Sequence, residues 1–180
     1  MLHAADEGVL QIIETQCKHC HGAEGEASST VFPRLAHQHK NYIIKQLTDF
    51  REKRRIGTMN EVAAKLTDSE IVGLADYFSA KPALSHRVRD MDLAGVGHFI
   101  FTRGNPYSEV PACNTCHGEN GEGSDTLPRL AGQHKQYISL QLQEFDRRTR
   151  NNDNAIMHLI ASRLSALERE AVALYASGLR

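Results

Sequence analysis

The chain is organised around Cys17-Lys18-His19-Cys20-His21 and Cys113-Asn114-Thr115-Cys116-His117, two copies of a Cys-x-x-Cys-His motif that together hold all four cysteines. Two thiols at this spacing can form thioethers to the two vinyl groups on one edge of a haem, and the histidine after the second cysteine then lies beneath the iron. The pattern is a recognised signal for attachment of a c-type haem. We therefore predict two covalently bound haem c groups, with the cysteines as anchors and the two histidines as iron ligands: Cys17, Cys20, Cys113, Cys116, His21 and His117.

Two other uses of a Cys-x-x-Cys pair agree less well with this sequence. Four thiols could form a structural zinc site, but each half of the chain carries one complete pair, and zinc does not explain the histidine that follows each pair. A redox-active disulfide of the thioredoxin type needs a βαβ context, and the alternating pattern of strands is absent. Haem attachment is the interpretation that uses every residue of the motif.

Length and charge narrow the class of protein. The 180 residues suffice for one medium domain or two small ones. Residues 1–90 hold 12 basic and 12 acidic groups, residues 91–180 hold 9 and 10, and the formal net charge is −1. Neither half is strongly basic, so we predict no nucleic-acid partner. No run approaches the roughly 18 apolar residues of a membrane span, so we also predict no transmembrane segment.

The two motifs belong to a long internal repeat. Residues 33–43, Pro-Arg-Leu-Ala-His-Gln-His-Lys-Asn-Tyr-Ile, match residues 128–138 in order, at an offset of 95 positions. The match continues through glutamine, leucine and phenylalanine, namely Gln46 and Gln141, Leu47 and Leu142, and Phe50 and Phe145. A period this long indicates a duplicated domain rather than a solenoid unit. We predict an N-terminal domain over residues 1–80, a linker over 81–92 and a C-terminal domain over 93–180.

Apolar spacing predicts helices in both domains, and hence an all-α fold. One helix is predicted before each motif and another after each proline-containing loop, from four apolar sets: Val9, Ile12 and Ile13; Val96, Phe99 and Ile100; Ile43, Leu47 and Phe50; Ile138, Leu142 and Phe145. The last helix of each domain begins with a capping box, Thr67-x-x-Glu70 in one and Ser165-x-x-Glu168 in the other. The loops rich in Gly, Ser and Glu after each motif suit chain that wraps a cofactor.

A methionine recurs at one position of the repeat. Met59 and Met157 each lie seven residues before a leucine that precedes the capping box. A lone methionine is usually a core residue, but the paired position predicts that both bind haem iron opposite the histidines, since His/Met ligation is a standard arrangement in cytochromes c. Met91 has no counterpart and lies in the predicted linker. Iron with both axial positions filled favours electron transfer over catalysis.

The loops after the motifs supply further candidates around each haem. Pro33 and Pro128 are predicted to accept, through their carbonyls, the second ring proton of the iron-binding histidine, although a proline in a turn needs no such role. Arg34 and Arg129 are predicted either to bind haem propionates or to be solvated.

Two more histidines, His39 and His134, occupy equivalent positions of the repeat. They follow the proximal motif too closely in the chain to displace the methionines. We therefore predict a surface or interdomain role for them, and ligation of the iron by two histidines stays open as the alternative.

These residues resemble the cytochrome c4 family, the members of which are dihaem class I cytochromes c. The resemblance covers nearly the whole chain and rests on the two haem motifs, the repeated Pro-Arg-Leu-Ala-x-Gln-His-x-x-Tyr, residues 45–51 (Lys-Gln-Leu-Thr-Asp-Phe-Arg) and Met59 ahead of residues 63–68 (Ala-Ala-Lys-Leu-Thr-Asp). It implies two cytochrome c folds related by a pseudo-twofold axis, with the propionate edges of the haems meeting near the domain interface. Carried over by position, it also implies two pairs of axial ligands, His21 with Met59 and His117 with Met157.

Two departures from the internal repeat accompany this resemblance. Residues 51–59 form a segment three residues shorter than its counterpart, residues 146–157, and residues 104–112 have no counterpart in the first half. The two haem pockets are therefore expected to differ in exposure and potential. The ligand motifs are untouched, so the predicted class does not change.

The family resemblance implies a periplasmic electron carrier that feeds a terminal oxidase or another respiratory partner. We therefore predict an electron-transfer protein and not an enzyme, with redox proteins as partners. Two alternatives stay open: the cytochrome subunit of a dehydrogenase complex, and a dihaem enzyme with an open iron site. The start of the chain lacks the basic segment and apolar run of a secretory signal, so we interpret the chain as a form from which such a signal has been removed or left out.

Overall fold

Ten α-helices and one π-helical turn make up the regular structure of residues 7–180, which the computed structural model describes. The N-terminal half contains α1 (Glu7–Ile12), the π-turn (Ile13–Cys17), α2 (Lys18–His21), α3 (Lys40–Arg51), α4 (Met59–Ala63) and α5 (Asp68–Ser79). The C-terminal half contains α6 (Met91–Arg103), α7 (Asn114–His117), α8 (Lys135–Asp146), α9 (Ile156–Ala161) and α10 (Ala166–Gly178). These residues form no β-strand beyond one isolated bridge between Asn105 and Val110. The all-α prediction is confirmed.

Each half has a hydrophobic core of its own. In the N-terminal half α3 and α5 pack together and α1 packs on α5, around a buried cluster that comprises Val9, Ile13, Cys17, Ile43, Leu66, Ile71, Leu74, Ala75 and Phe78. In the C-terminal half α10 packs on α6 and α8, around Ile100, Phe101, Val110, Ile138, Leu142, Phe145, Ala161, Leu164, Val172, Ala173 and Ala176. Equivalent helices therefore build equivalent cores, as expected for a duplicated unit.

Both capping boxes are present at the helices for which they were predicted. At α5 the Glu70 amide donates to Thr67 Oγ1 at 3.3 Å and the Thr67 amide donates to the Glu70 carboxylate at 2.7 Å. At α10 the corresponding distances between Ser165 and Glu168 are 3.2 and 2.8 Å. Two backbone donors that the first helical turn leaves unpaired are satisfied at each site.

The helix predicted from Val96, Phe99 and Ile100 is present as α6, but only part of this apolar set is buried. Val96 and Phe99 are 41% and 48% exposed, whereas Ile100 is buried together with the small residues Ala94 and Gly97. The reason is the close approach of α10, since a Cβ on Gly97 would lie 2.0 Å from the backbone carbonyl oxygen of Ala171. Helices that cross at such short range bury their smallest residues, so the larger apolar side chains turn outward.

The segment that joins the halves is irregular and ends at Asp90. The Asp90 carboxylate accepts a hydrogen bond from the Leu93 amide at 2.9 Å and caps α6, so the last two residues of the linker predicted at 81–92 are helical. The segment packs on the C-terminal half, where a Cβ on Gly132 would lie 1.8 Å from the Leu84 carbonyl oxygen. Gly132 has φ +72°, a conformation that glycine adopts without strain.

Candidate cofactor-binding sites

Each Cys-x-x-Cys-His motif ends in a one-turn helix, α2 or α7, that stops at a glycine. Gly22 and Gly118 have φ of 76° and 84°, so the chain reverses directly after the histidine. A Cβ on Gly22 would lie 2.2 Å from the carboxylate carbon of Glu26. These reversals turn His21 and His117 inward, and both are buried, with 6% and 8% exposure.

The ring of each buried histidine is held by a proline carbonyl. His21 Nδ1 lies 3.0 Å from the Pro33 oxygen and His117 Nδ1 lies 3.1 Å from the Pro128 oxygen. A carbonyl can only accept, so Nδ1 carries the proton and donates it, which leaves the Nε2 lone pair available to a metal. Burial lowers the pKa of both rings, and the hydrogen bond to the carbonyl opposes that shift. The neutral form that binds metal is therefore favoured.

One cavity of the N-terminal half brings several predicted residues together. It is lined by Gln16, Cys17, Cys20, His21, Thr58, Met59 and Val62. Two thiols, one imidazole and one thioether therefore face a single space, although Met59 lies 38 positions after His21 in the chain. This donor set matches the needs of a covalently attached haem, namely two thioether anchors and two axial ligands. In the C-terminal half Cys113 and Met157 pack against the same core cluster.

Burial raises the pKa of two of the four cysteine thiols. Burial raises the pKa of Cys17 to about 11, with a smaller contribution from Cys20. Burial likewise raises the pKa of Cys113 to about 11. Residues 7–180 include no group of three or more His, Cys, Asp and Glu side chains placed to hold a metal ion. One Cys-x-x-Cys pair lies in each half, beside a separate core, which agrees with two haem attachment sites better than with one four-thiol zinc centre.

Both methionines lie in the first turn of a short helix, after loops of different length. The loop before Met59 is fixed by Asn60, whose side-chain amide donates to the carbonyls of Phe50 and Arg55 at 2.6 and 2.8 Å. The longer loop before Met157 is fixed by Asp153, whose carboxylate accepts from the Met157 amide. Each half thus holds its methionine by a different set of contacts.

The proline loops of the two halves are joined by reciprocal hydrogen bonds from two glutamines. Gln133 accepts from the Arg34 amide at 2.8 Å and donates to the Arg34 carbonyl at 2.9 Å. Gln38 makes the same two contacts with the Arg129 backbone, at 2.8 and 3.1 Å. Both glutamines are buried. Sequence reasoning assigned them no role, and the signal that could have found them is their repetition at the same distance, five residues, after each proline.

The two arginines of the proline loops lie at the same interface. The Arg34 guanidinium donates to the Gly132 carbonyl at 2.6 Å and to the Glu26 carbonyl at 3.3 Å. Burial lowers the pKa of Arg34 and that of Arg129. Binding of propionates by these side chains stays a prediction.

The two repeated histidines contact other parts of the chain. His39 Nε2 lies 2.8 Å from the Glu122 carbonyl of the C-terminal half, which agrees with the interdomain role predicted for it. His134 Nδ1 lies 3.0 Å from Nε2 of His86, in the segment that joins the halves. The Glu26 backbone acts on His134 as the Glu122 carbonyl does on His39, so the contact with His86 is an addition that only one histidine of the pair makes.

Comparison with known proteins identifies the family. A curated cytochrome c4 of Thiocapsa roseopersicina is 40% identical over 167 residues, which cover 91% of this chain and 86% of that protein. The chain belongs to the cytochrome c4 family. The family model described as cytochrome C oxidase, cbb3-type, subunit III, also matches residues 4–78.

The structural comparison extends the cytochrome c4 likeness to the whole fold. The crystal structure of reduced recombinant cytochrome c4 from Pseudomonas stutzeri superposes with a TM-score of 0.89 at 33% identity, and covers 98% of this chain and 100% of that chain. The predicted fold of two tandem cytochrome c domains related by a pseudo-twofold axis is confirmed, as is the family resemblance. A protein named thiosulfate dehydrogenase electron acceptor, from Stutzerimonas stutzeri (strain A1501), is 39% identical over 165 residues, covering 88% of this chain and 76% of that protein.

Membership of the cytochrome c4 family determines the class of activity. The chain is a haem-binding electron-transfer protein and not an enzyme, as predicted. Within residues 7–180, no helix has both the length and the apolar character needed to cross a membrane.

Proposed function

We propose that this chain is a periplasmic dihaem cytochrome that moves single electrons between redox proteins. The observation that carries the proposal is the duplicated histidine geometry, in which a buried imidazole donates Nδ1–H to a proline carbonyl in each half. We assign Cys17 and Cys20, and Cys113 and Cys116, as the thioether anchors of two haems. We assign His21 with Met59, and His117 with Met157, as the axial ligands.

The residues of the chain set the properties of each centre. The bound haem supplies the reversible change of iron between the ferric and ferrous states. The proline carbonyl fixes the ring plane of the histidine and makes Nε2 a better donor. A methionine sulfur stabilises ferrous iron and raises the potential. With histidine and methionine as its protein ligands, each bound haem would have no exchangeable position for oxygen or peroxide.

The partners we propose are redox proteins of a respiratory chain, in particular a terminal oxidase. A second candidate is a dehydrogenase that reduces this cytochrome, and it is favoured by the 39% identity to a protein named thiosulfate dehydrogenase electron acceptor. The chemistry of the chain is the same in both cases, since the oxidase would accept electrons from the cytochrome and the dehydrogenase would supply them. Docking is expected to be small in area and transient, as is typical of electron-transfer partners.

Haem stoichiometry and redox titration test this proposal. The pyridine haemochrome assay should give two haems per chain for the purified protein, and spectroelectrochemistry should resolve two one-electron steps. The double variant Cys113→Ser/Cys116→Ser should retain one haem and one step. A wild-type protein with one haem, or with a haem that binds carbon monoxide readily at neutral pH, would contradict the proposal.

Stopped-flow reduction by a purified thiosulfate dehydrogenase, compared with oxidation by a purified terminal oxidase, then tests the partner.

A further inference from the structure

The two short helices that carry the proposed methionine ligands differ in their outer faces. In α9, Ile156 and Leu159 lie about one helical turn apart and are 58% and 55% exposed. The equivalent positions of the N-terminal half, 98 residues earlier, hold Thr58 and Glu61, which are also exposed. A glutamate at one of these positions shows that the position faces solvent. Two large apolar side chains of one half therefore occupy positions that are polar in the other half.

The exposed apolar pair lies at the margin of the C-terminal cofactor site. Thr58 lines the N-terminal cavity together with Met59, so its counterpart Ile156 is expected beside Met157 at the edge of the equivalent site. Met157 and Ile160 pack against the core cluster on the inner side of α9. A protein that covered the exposed pair would therefore lie next to the bound haem, where the path for an electron is short.

Two exposed arginines lie beside this helix. The Arg148 amide donates to the Phe145 carbonyl at 3.1 Å, and His158 Nδ1 of α9 lies 3.0 Å from the same oxygen. One carbonyl thus fixes the backbone of Arg148 next to α9, and Arg147 precedes it in the chain. Both arginines are exposed, and within residues 7–180 neither guanidinium forms an ion pair. Their positive charges are therefore available to a partner.

The loop that carries these arginines is held from its inner side. Arg150 of the same loop is only 6% exposed, and it donates to Gln141 Oε1 at 2.6 Å and to the Tyr42 hydroxyl of the other half at 2.9 Å. Arg55, at the equivalent position, makes the corresponding contacts from the N-terminal half. The loop therefore has a fixed orientation that does not depend on its two outward-facing arginines.

The N-terminal half has the same backbone at this place but different charges. Glu52 and Lys53 occupy the positions of Arg147 and Arg148, at the offset of 95. Lys53 and Arg148 both have φ of 58°, and both amides donate to the carbonyl of the last phenylalanine of the preceding helix. Glu52, however, forms an ion pair with Arg54. One half therefore offers two free cations, whereas the other offers a mixed and partly neutralised set.

Four residues, Arg147, Arg148, Ile156 and Leu159, which we call the α9 surface, have the composition of a protein interface. Arginine is enriched in interfaces, the centres of which are apolar, whereas lysine and glutamate are depleted. The equivalent N-terminal positions hold lysine and glutamate. Positive charge beside an apolar centre attracts an acidic surface and speeds its encounter. A symmetric contact between two copies of the chain would instead bring the arginines of both copies into one small interface.

We propose that the α9 surface is the docking site of an acidic redox protein, and that the equivalent surface of the N-terminal half lacks this preference. The proposal rests on the proposed dihaem function and adds the location and the chemistry of one partner site. In the docked pair one electron passes from a reduced centre of the partner to the cytochrome, and neither a proton nor a covalent bond is transferred. The four residues bind and orient the partner and do not touch iron.

Charge reversal at equivalent positions tests the location. The probe is an acidic flavodoxin in its hydroquinone form, which gives up one electron to become the semiquinone, and stopped-flow absorbance follows reduction of the ferric holoprotein. Arg148→Glu should lower the second-order rate constant about tenfold at low ionic strength, and the difference should shrink as salt is added. The matched control Lys53→Glu changes the net charge by the same amount at the equivalent position, and should stay within about twofold of the wild type.

A neutral substitution tests the apolar centre. Leu159→Ala should raise about fivefold the flavodoxin concentration that gives half of the limiting rate, because it removes apolar contact area without changing charge. Leu10→Ala, at a leucine of α1 that is 45% exposed, should leave this concentration unchanged. All four variants should keep the wild-type potentials and the wild-type rate of reduction by ascorbate, which needs no docking surface. A variant effect that appeared equally with ascorbate would show a disturbed haem site and overturn the proposal.

Other occupants of the α9 surface give different results. Equal slowing of flavodoxin by Arg148→Glu and Lys53→Glu would overturn the proposal, because the location would then not matter. A wild-type dimer in analytical ultracentrifugation that Leu159→Ala dissociates would assign the surface to a second copy instead. Sedimentation with phosphatidylglycerol vesicles that depends on Arg148 would assign it to a membrane. Two normal one-electron steps with equal rates in all variants would refute the docking site and leave the proposed function intact.

Discussion

His21 and His117 each donate one ring proton to a proline carbonyl, and the opposite nitrogen is then available to iron. The other axial position is assigned to Met59 and Met157, and this assignment can be tested one haem at a time. Met59→Ala and Met157→Ala should each open one haem and lower its potential by about 100 mV or more, a modest part of the range that axial ligands control. Carbon monoxide binding to the ferrous protein, followed by redox titration, measures both effects.

Met91 offers a matched control for this experiment. It is 70% exposed and has no counterpart in the repeat, so Met91→Ala should keep the spectrum and both potentials of the wild-type protein. If Met59→Ala or Met157→Ala behaved like Met91→Ala, the corresponding ligand assignment would be wrong.

His134 makes stability depend on pH. Burial lowers its pKa to about 4, with further contributions from the charges of Arg34 and His86, whereas an unfolded histidine titrates near 6.5. The unfolded chain therefore takes up this proton at a higher pH than the folded chain does. The stability contributed by neutral His134 is complete above about pH 6.5 and is lost as the pH falls toward 4. His134→Gln should flatten the fall in unfolding free energy between pH 7 and 4, measured by urea denaturation. His19→Gln, at an exposed position, should leave the wild-type slope, and equal slopes in both variants would contradict this account.

The residues that bear on the proposed chemistry could be found from the sequence because they form short motifs or recur. The Cys-x-x-Cys-His spacing, the repeated proline and the repeated methionine each have a chemical reason that needs no coordinates. Gln38 and Gln133, and also Arg55 and Arg150, could not be assigned in this way. Their partners lie about 90 positions away or in the opposite half, and only folding brings a buried polar side chain to such a partner.

At the scale of the helix, α6 offers a comparison between two glycines. A Cβ on Gly97 would meet the Ala171 carbonyl oxygen at 2.0 Å, while a Cβ on Gly95 would meet nothing within 4 Å. Gly97→Ala should force α6 and α10 apart and destabilise the protein by about 2 kcal/mol or more. Gly95→Ala should stabilise it by about 0.5–1 kcal/mol, because alanine favours the helix. Urea denaturation of the two variants measures these opposite signs, and two destabilised variants would argue against close packing as the cause.

Helix ends were easier to predict than helix faces. The boxes at Thr67 and Ser165 are local, since a hydroxyl and a carboxylate three residues apart satisfy backbone groups of the same turn. The buried face of α6 depends instead on how closely another helix approaches. The apolar pattern includes Val96 and Phe99 because they are large, yet both are exposed. It does not include Gly97, the residue that approaches α10 most closely.

In the whole molecule, Gln38 and Gln133 join the two halves through backbone groups. Gln133→Ala would leave the amide and the carbonyl of Arg34 without their partner, at a cost of about 1–3 kcal/mol. We expect a lower free energy of unfolding and a separation of the single unfolding transition into two. Circular dichroism and the absorbance of each haem measure these transitions. Gln136→Ala is the control, because Gln136 also contacts the opposite half, at Thr30, but is exposed. A single transition with unchanged midpoint in Gln133→Ala would show that these bonds do not couple the halves.

The segment that joins helices α5 and α6 affects which substitutions each half can accept during evolution. If two identical subunits met through this interface, every substitution would appear on both sides, so the interface would have to stay self-complementary. A covalent tether replaces that encounter by an effective concentration of about millimolar, so each side can be altered alone. The bridge at Asn105 and Val110, the longer loop before Met157 and the contact of His86 with His134 occur in one half only. The tether therefore allows the two halves of one molecule to diverge, so that each half can present a different surface.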